Sequence, residues 1–487
     1  MNNSKVRTRY APSPTGFVHI GNLRSALYEY LVAKAMGGQF ILRIEDTDRN
    51  RYVEGAVELI FETLKTVGIQ HDEGPDIGGP YAPYTQSERL DTYGEYAQQL
   101  IDSKKAYRCF CDTERLDQLK AIAEQEKVQY KYDRHCLALS PEEIQEKLDK
   151  NEPYVIRQFI EQVGFTEFED EVFGKIRFDN DVLEDQILIK SDGYPTYNFA
   201  NVIDDHLMNI THIVRGNEYI TSTPKYIHLY EAFNWDIPTF VHLPLVVKHG
   251  GEKLSKRSGD AYFSDFIDKG YLPEALVNYI VLLGWSSRTE EEFFTLKELE
   301  KIFDIKGITK SPSTFDTDKL NWMNSEYIRR KSPEEFLQVA SKWIDLGLKK
   351  DLDKLKICNM IQKRVAVLNE IPDMVTFLDE VKEIDLELYV NKKSKSTVEN
   401  AKTILPLVYE RISLLDDFSH ENIYGLFVEI ANELELKNGT VMWPIRIALS
   451  GLLVTPGGAV EIADIIGKEE TLKRLKKAID QLENDNV

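Results

Sequence analysis

Apolar and polar positions show some alternation from Val6 to Ala11, a stretch the length of one short β-strand. Pro12-Ser13-Pro14-Thr15-Gly16 then interrupts it, because proline has no N–H for a ladder or a helix interior. From Asn22 the period changes. Leu23, Ala26, Leu27, Tyr30 and Leu31 recur at i, i+3, i+4, i+7 and i+8, which predicts a helix ended by Gly37-Gly38. Phe40-Ile41-Leu42-Arg43-Ile44 follows as a second strand. Strand, loop, helix, strand is a βαβ unit, and it predicts a parallel sheet with a ligand site at the strand ends.

Residues from about 90 to 195 break this pattern with a charged helical stretch, Glu114 to Glu126, and several short strand-like pieces. They read as an insertion within the α/β domain. Strand and helix signals resume at Ile210-Thr211-His212-Ile213-Val214 and from Pro224 to Phe233, and Leu243-Pro244-Leu245-Val246-Val247 reads as another apolar strand. Beyond Glu326 the pattern is almost wholly helical for about 160 residues, one domain's worth. The expected organisation is therefore residues 1–90 and 196–250 as halves of a Rossmann-like domain, 91–195 as an inserted α+β subdomain, 251–325 as a region carrying a basic loop, and 326–487 as an all-α region.

Composition narrows the class. The opening residues MNNSKVRTRY lack a secretory core, and no run approaches the roughly 18 apolar residues of a membrane span, so a cytoplasmic location is expected. Four cysteines in 487 residues are too few for a disulfide scaffold. The formal net charge of −21 opposes a nucleic-acid partner when taken alone, although a local basic face can coexist with it.

Two loops carry phosphate chemistry. Pro12 to Asn22 lies between a predicted strand and a predicted helix, where free N–H groups and the helix dipole favour an anion. Gly16 and Gly21 allow close backbone approach, and His19 sits where its ring can donate to a phosphate oxygen. An isolated His-Ile-Gly would be a turn with a capping histidine; the flanking elements favour the phosphate site. The second loop, Gly250-Gly251-Glu252-Lys253-Leu254-Ser255-Lys256-Arg257-Ser258-Gly259, is glycine-flanked and basic, suited to closing over a triphosphate. Alone it would be a solvated turn.

The two loops, about 230 residues apart, resemble the HIGH and KMSKS signatures of class I aminoacyl-tRNA synthetases, here His19-Ile20-Gly21-Asn22 and Lys253-Leu254-Ser255-Lys256-Arg257. The strings Arg9-Tyr10-Ala11-Pro12-Ser13-Pro14-Thr15-Gly16, Arg43-Ile44-Glu45-Asp46-Thr47-Asp48 and Tyr194-Pro195-Thr196-Tyr197-Asn198-Phe199-Ala200-Asn201 are similar to those of the glutamate and glutamine branch. The chain thus resembles the bacterial-type glutamyl-tRNA synthetase family along essentially its whole length. This resemblance implies ATP-dependent activation of L-glutamate through an adenylate, with Mg²⁺ accompanying ATP, and transfer to the terminal ribose of tRNA-Glu, with tRNA required for the first step. It implies a glutamate pocket of Arg9, Ala11, Ser13, Glu45, Tyr197, Asn201 and Arg215, and an ATP site of Thr15, Gly16, His19, Gly21, Asn22, Glu218, Tyr219, Leu245 and Lys256. His19, Lys253, Lys256 and Arg257 would stabilise developing charge. Residues 91–195 would hold the tRNA acceptor end, 251–325 would contact its stem, and 326–487 would bind the anticodon. The resemblance also implies a monomer. It covers forms restricted to tRNA-Glu and forms that also charge tRNA-Gln with glutamate. Intact phosphate motifs separate the chain from an idle RNA-binding paralogue.

Cys109-Phe110-Cys111, followed by Tyr132 and then Cys136, has spacing that suits zinc, although three reduced thiols would look the same. The resemblance implies a Cys-x-Cys…Tyr-x-x-x-Cys zinc site, with Ala138 standing where some relatives place a histidine. Asp204-Asp205-His206 is a weaker metal pattern and is assigned a structural role. Arg364 and Arg446 are candidates for anticodon contact, weighed against ordinary structural positions on helices.

Overall fold

The computed structural model describes residues 5–484 apart from 129, 249 and 251–261. The chain divides into two compact units, Met1–Phe266 with Leu276–Asp316 and Ile267–Ala275 with Thr317–Val487.

In the first unit, β1 (Arg7–Tyr10) and β2 (Gln39–Leu42) pair in parallel across the helix α1 (Ile20–Ala35). The helices α2 (Ala56–Thr66) and α3 (Leu90–Asp102) follow. The insertion contains β3 (Ala106–Cys109), α4 (Thr113–Glu126), α5 (Pro141–Asp149), β4 (Val155–Gln158), β5 (Phe165–Asp170), β6 (Gly174–Asp179) and β7 (Ile187–Ile189). Strands β3, β4 and β7 form one antiparallel sheet. The α/β pattern returns with α6 (Tyr197–Leu207), β8 (His212–Gly216), α7 (Thr223–Ala232) and β9 (Thr239–Leu243). β8 and β9 are parallel, and the hairpin β5–β6 extends their sheet through one pairing, Asp170 with Phe240. The short β10 (Val246–Val247), the helices α8 (Phe263–Lys269), α9 (Pro273–Leu282) and α10 (Leu296–Ile302), and β11 (Ser313–Thr314) come last, the end of α8 and the start of α9 being assigned to the second unit.

Hydrogen bonds join the starts of the four parallel strands. Gln39 N donates to Val6 O at 2.8 Å, Thr211 N to Arg7 O at 3.0 Å, and Thr239 N to Thr211 O at 2.9 Å. β2, β1, β8 and β9 therefore run side by side in one direction. The segments after their C-terminal ends carry Ser13, Glu45, Glu218 and Leu245. Such a row of carboxyl ends is where open α/β sheets bind ligands.

The expected elements are present with shifted edges. The expected α1 stripe is fully buried, but so are Tyr28, Val32, Ala33 and Glu29. This helix is packed on more than one side. Thr8 Oγ1 donates to Glu29 O at 2.7 Å on the β1 side, while Tyr28 Oη donates to Val281 O at 2.8 Å and Tyr30 Oη to Glu300 at 2.6 Å. Each buried leucine here stabilises the fold by roughly 1.5–3 kcal/mol. The apolar run from Leu243 to Val247 is not one strand. Pro244 cannot donate to a ladder, and its carbonyl instead accepts from Arg24 Nη1 at 2.6 Å. The chain therefore leaves β9 and pairs again, through β10, with β11.

The second unit is helical: α11 (Thr317–Arg330), α12 (Pro333–Gly347), α13 (Lys354–Ile361), α14 (Ile371–Val375), α15 (Val398–Ser413), α16 (His420–Glu433), α17 (Asn438–Ser450) and α18 (Ala459–Asn484). Its helix ends are chemically marked. Ser332 and Glu335 form a reciprocal cap before α12, and Gly451, at φ +66°, ends α17. Gly467, at φ +80°, breaks α18 into two helical stretches, a conformation that costs glycine little.

Candidate active site

The loop after β1 delivers His19 to the start of α1. The His19 ring caps the helix, with Nδ1 accepting from Gly21 N at 3.0 Å. A neutral ring that accepts at Nδ1 carries its proton on Nε2, so it presents a donor. A Cβ at Gly21 would sit 3.3 Å from that nitrogen, which favours glycine there. Thr15 and Asn22 are exposed, and Gly16 turns at φ +117°. Lys253, Lys256 and Arg257 lie outside the described residues. Tyr262, five positions beyond Arg257, pairs as an isolated bridge with His19, and Phe263 N donates to Val18 O at 3.0 Å. The described residues that follow the second motif in sequence, Tyr262 and Phe263, therefore pair with the first phosphate loop.

A cavity of about 550 Å³ opens among the strand ends, lined by Ser13, Glu45, Thr47, Asp48, Arg51, Lys190, Pro195, Thr196, Tyr197 and Tyr219. Four expected residues, Ser13, Glu45, Tyr197 and Tyr219, meet here. The size suits a small ligand. Glu45 is held in place because Pro12 O accepts from Glu45 N at 3.0 Å, clamping the segment after β2 to the segment after β1. Its Oε1 accepts from Arg43 Nε at 3.2 Å and Nη2 at 2.9 Å, while its Oε2 is buried with no partner. Burial pushes this carboxyl up to about 7, against the opposing pull of Arg43 and Arg9. Burial, and then the Glu45 charge, push the Tyr197 phenol well above its ordinary value.

Arg9, Asn201 and Arg215 do not line this cavity. All three are buried, and Arg215 lies beside Tyr219 of the lining. Arg9 is already engaged, donating from Nε to Asp205 Oδ1 at 3.0 Å and from Nη1 to Glu29 at 3.4 Å. Arg215 differs. Its Nε and Nη2 are buried without partners, and its guanidinium lies 4.5 Å from the Tyr226 ring and 5.0 Å from the Tyr219 ring. A cation held by aromatic faces with donors to spare is suited to an incoming carboxylate. Ala11 is half-buried just beyond β1. Glu218 is exposed beyond β8, and a Cβ at Gly216 would meet its Oε2 at 2.1 Å. Leu245 is half-buried, and its carbonyl accepts from Ser313 N at 2.9 Å.

Thr47, Asp48, Arg51, Lys190, Pro195 and Thr196 line the cavity although the sequence singled out none of them. Four of these stand inside the quoted motif strings. The Asp204-Asp205-His206 pattern lies on α6. Asp204 accepts from Arg89 at 2.7 Å, Tyr93 at 2.8 Å and Gln86 at 2.9 Å, Asp205 from Arg9 and Arg43, and His206 stacks on Trp235 at 3.6 Å.

In the insertion, one ligand atom from each of Cys109, Cys111 and Cys136 lies within 4.8 Å of the others. Cys111 and Cys136 sulfurs are 3.6 Å apart, and Tyr132 Oη is 3.3 Å from Cys109 and 3.4 Å from Cys111. Tetrahedral zinc would separate sulfurs by about 3.8 Å and sulfur from oxygen by about 3.5 Å. These three separations are close to those values. Hydrogen bonding with Cys136, then with Tyr132 and Arg157, holds the Cys109 thiol well below its ordinary value, outweighing burial.

In the helical unit, a groove of about 670 Å³ is lined by Tyr424, Met442, Trp443 and Arg446 among others. Arg446 lies 4.4 Å from the Trp443 ring and donates to Leu453 O and Thr455 Oγ1 at 2.9 Å, and to Leu452 O at 3.2 Å. Arg364 is exposed on the turn after α13 and does not line this groove.

Residues 5–322 match the family described as tRNA synthetases class I (E and Q), catalytic domain, and residues 335–479 match an anticodon binding domain. The chain is 56% identical over 479 residues to the glutamate–tRNA ligase of Clostridium kluyveri, covering 98% of each chain. It is 55% identical over 485 residues to that of Clostridium tetani, covering 100% of this chain and 99% of the relative. Among solved structures it is similar, at TM-score 0.91 and 38% identity, to a glutamate tRNA ligase from Elizabethkingia meningosepticum in complex with its amino acid, covering 98% of this chain and 100% of that one.

Proposed function

The chain belongs to the class I tRNA synthetases for glutamate and glutamine and is a glutamate–tRNA ligase, and from that premise we propose that the strand-end cavity binds glutamate between Glu45 and Arg215. The observation that carries this assignment is that two opposite groups remain unsatisfied, Glu45 Oε2 on the cavity lining and Arg215 Nε and Nη2 beside Tyr219 of the same lining. Glu45 Oε2 accepts from the substrate α-ammonium. Arg215 donates two parallel hydrogen bonds to the side-chain carboxylate, with Tyr197, Asn201 and Arg9 completing the wall and Ala11 and Ser13 supplying its backbone edge. Glutamine would present an amide N–H₂ toward a cation in a desolvated pocket, an unpaired arrangement that discriminates without editing.

ATP, with its Mg²⁺, enters beside α1. Thr15, Gly16, Gly21 and Asn22 approach the phosphates, and Glu218, Tyr219 and Leu245 hold the adenosine. The glutamate α-carboxylate oxygen attacks the α-phosphorus, the bond to the β-phosphate oxygen breaks, and pyrophosphate leaves. His19 donates from Nε2 to the phosphate as charge develops, assisted by Lys253, Lys256 and Arg257. The terminal tRNA hydroxyl then attacks the acyl carbon and AMP leaves. No enzyme nucleophile is needed, because positioning and charge stabilisation supply the rate.

Cys109, Cys111, Tyr132 and Cys136 hold a structural zinc that ties β3 to the segment before α5. The groove beside Trp443 and Arg446 receives an anticodon base, with the guanidinium and indole planes as stacking surfaces, and Arg364 serves as a separate contact.

ATP–pyrophosphate exchange tests the substrate assignment. Exchange with glutamate that requires tRNA is expected. Exchange driven by glutamine would overturn the assignment.

A further inference from the structure

Around the cavity, one carboxylate oxygen joins two arginines. Asp205 Oδ1 accepts from Arg9 Nε at 3.0 Å and from Arg43 Nη1 at 2.8 Å, and Arg43 in turn grips Glu45 Oε1. The four side chains are at most 3% exposed, and that of Arg43 is fully buried. The bridge spans β1, the segment after β2, and α6. It leaves Asp205 Oδ2 and Glu45 Oε2 without partners.

We propose that Asp205 is a positioning residue for amino-acid recognition, whose single oxygen orients Arg43 so that Glu45 keeps one oxygen turned to the substrate. This rests on the assignment of Glu45 to the glutamate pocket. Arg43 divides its donors between Asp205 and Glu45 Oε1. Without the Asp205 charge, the main competitor for Arg43 is gone and a two-point grip on both Glu45 oxygens is favoured, the bidentate geometry a guanidinium prefers. Oε2 would then be withdrawn from the substrate ammonium, and Arg9 would lose its shorter contact. Asp204, the neighbouring acid, does a different job. It satisfies Arg89, Gln86 and Tyr93, with Arg43 Nε no closer than 3.9 Å.

A second consequence separates positioning from bulk stability. The charged groups facing Glu45 are Arg43 on its own segment, Arg9 on β1, Asp205 on α6 and Glu29 on α1, with Tyr197, Asp48, Arg51 and Lys190 around the cavity. Asp205 is among those that raise the Glu45 carboxyl, so neutralising Asp205 moves its titration to lower pH.

The test compares Asp205→Asn with Asp204→Asn in tRNA-dependent exchange by the full chain. Asp205→Asn is expected to raise KM for glutamate at least tenfold, to leave KM for ATP and tRNA within twofold, and to shift the acid limb of kcat/KM for glutamate to lower pH. Asp204→Asn is expected to lower the unfolding midpoint and leave KM for glutamate within twofold. Arg43→Lys, whose single ammonium cannot reproduce the two-sided grip, is expected to repeat the KM effect and carries the test if Asp205→Asn does not fold. Equal loss in all three KM values, or identical behaviour of the two asparagine variants, would overturn the proposal. Glu45→Gln distinguishes the premise. If it leaves KM for glutamate unchanged, the pocket assignment itself fails; if it raises KM while Asp205→Asn and Arg43→Lys do not, only the positioning role fails.

Discussion

Replacing Arg215 with methionine should sharply weaken the use of glutamate while sparing the fold. In the protein alone, two contributions oppose each other. Its guanidinium lies over the Tyr226 and Tyr219 rings, which together stabilise it by roughly 1–4 kcal/mol. Its buried Nε and Nη2 have no acceptor, which costs about 1–3 kcal/mol each. These terms nearly cancel, and methionine fills similar space against the aromatic faces. The unfolding midpoint should therefore move by only a few degrees, in either direction. With substrate the balance changes. Removing one partner of a desolvated charge pair costs about 2–5 kcal/mol, which is roughly 30- to 4,000-fold in kcat/KM for glutamate. Arg215→Lys, which keeps the charge but loses the parallel pair of donors, should fall at the mild end of that range. The assays are tRNA-dependent pyrophosphate exchange and thermal unfolding on the same preparations. A variant that unfolds readily yet keeps kcat/KM for glutamate within threefold would show that the cation serves packing, and would refute its role as the carboxylate receptor.

Four further outcomes are expected. kcat/KM for glutamate should rise as pH passes through about 7, because Glu45 must be ionised to accept the ammonium; its folded-state value lies above the ordinary 4.5, so its own contribution to stability is present below 4.5 and lost as pH rises through about 7. His19→Asn keeps a good capping side chain but removes the Nε2 donor, so exchange should slow by roughly 10²–10³-fold with little change in unfolding. Purified protein should contain one zinc by metal analysis, Cys136→Ser should lose it, and Tyr132→Phe should weaken retention against a chelator while three thiolates remain; metal clearly below one equivalent in the unmodified protein would exclude the site. Arg446→Ala should raise KM for tRNA, and not for glutamate, because it removes a stacking plane and frees the turn carbonyls of Leu452 and Leu453.

The parts of this site that were legible in the sequence are local. The period of Leu23, Ala26, Leu27, Tyr30 and Leu31 marks a helix because every contact that sets it lies within a turn or two. The cysteine spacing works the same way. Cys109 ends β3 with Cys111 two positions on, and Tyr132 and Cys136 are four positions apart in sequence. What stayed hidden depends on strands converging. Arg43 meets Asp205 across 162 positions and Arg9 meets it across 196, so an aspartate in an unremarkable triplet showed no sign of its partners. Arg9 was expected in the glutamate pocket, but its engagement by two carboxylates was not visible in the sequence, and it leaves Arg215 the better-disposed cation. Lys190 and Arg51 line the cavity only because loops from different strands close around it. The apolar appearance of Leu243 to Val247 misled because hydrophobicity reports burial, whereas Pro244 determines where a ladder stops.

A crystal structure with a non-hydrolysable glutamyl-adenylate analogue examines the central claim most directly. The side-chain carboxylate is expected within hydrogen-bonding distance of Arg215 Nε and Nη2, the α-ammonium at Glu45 Oε2 and the phosphate at His19 Nε2. An analogue bound with its carboxylate away from Arg215, or with its phosphate out of reach of His19, would contradict the account.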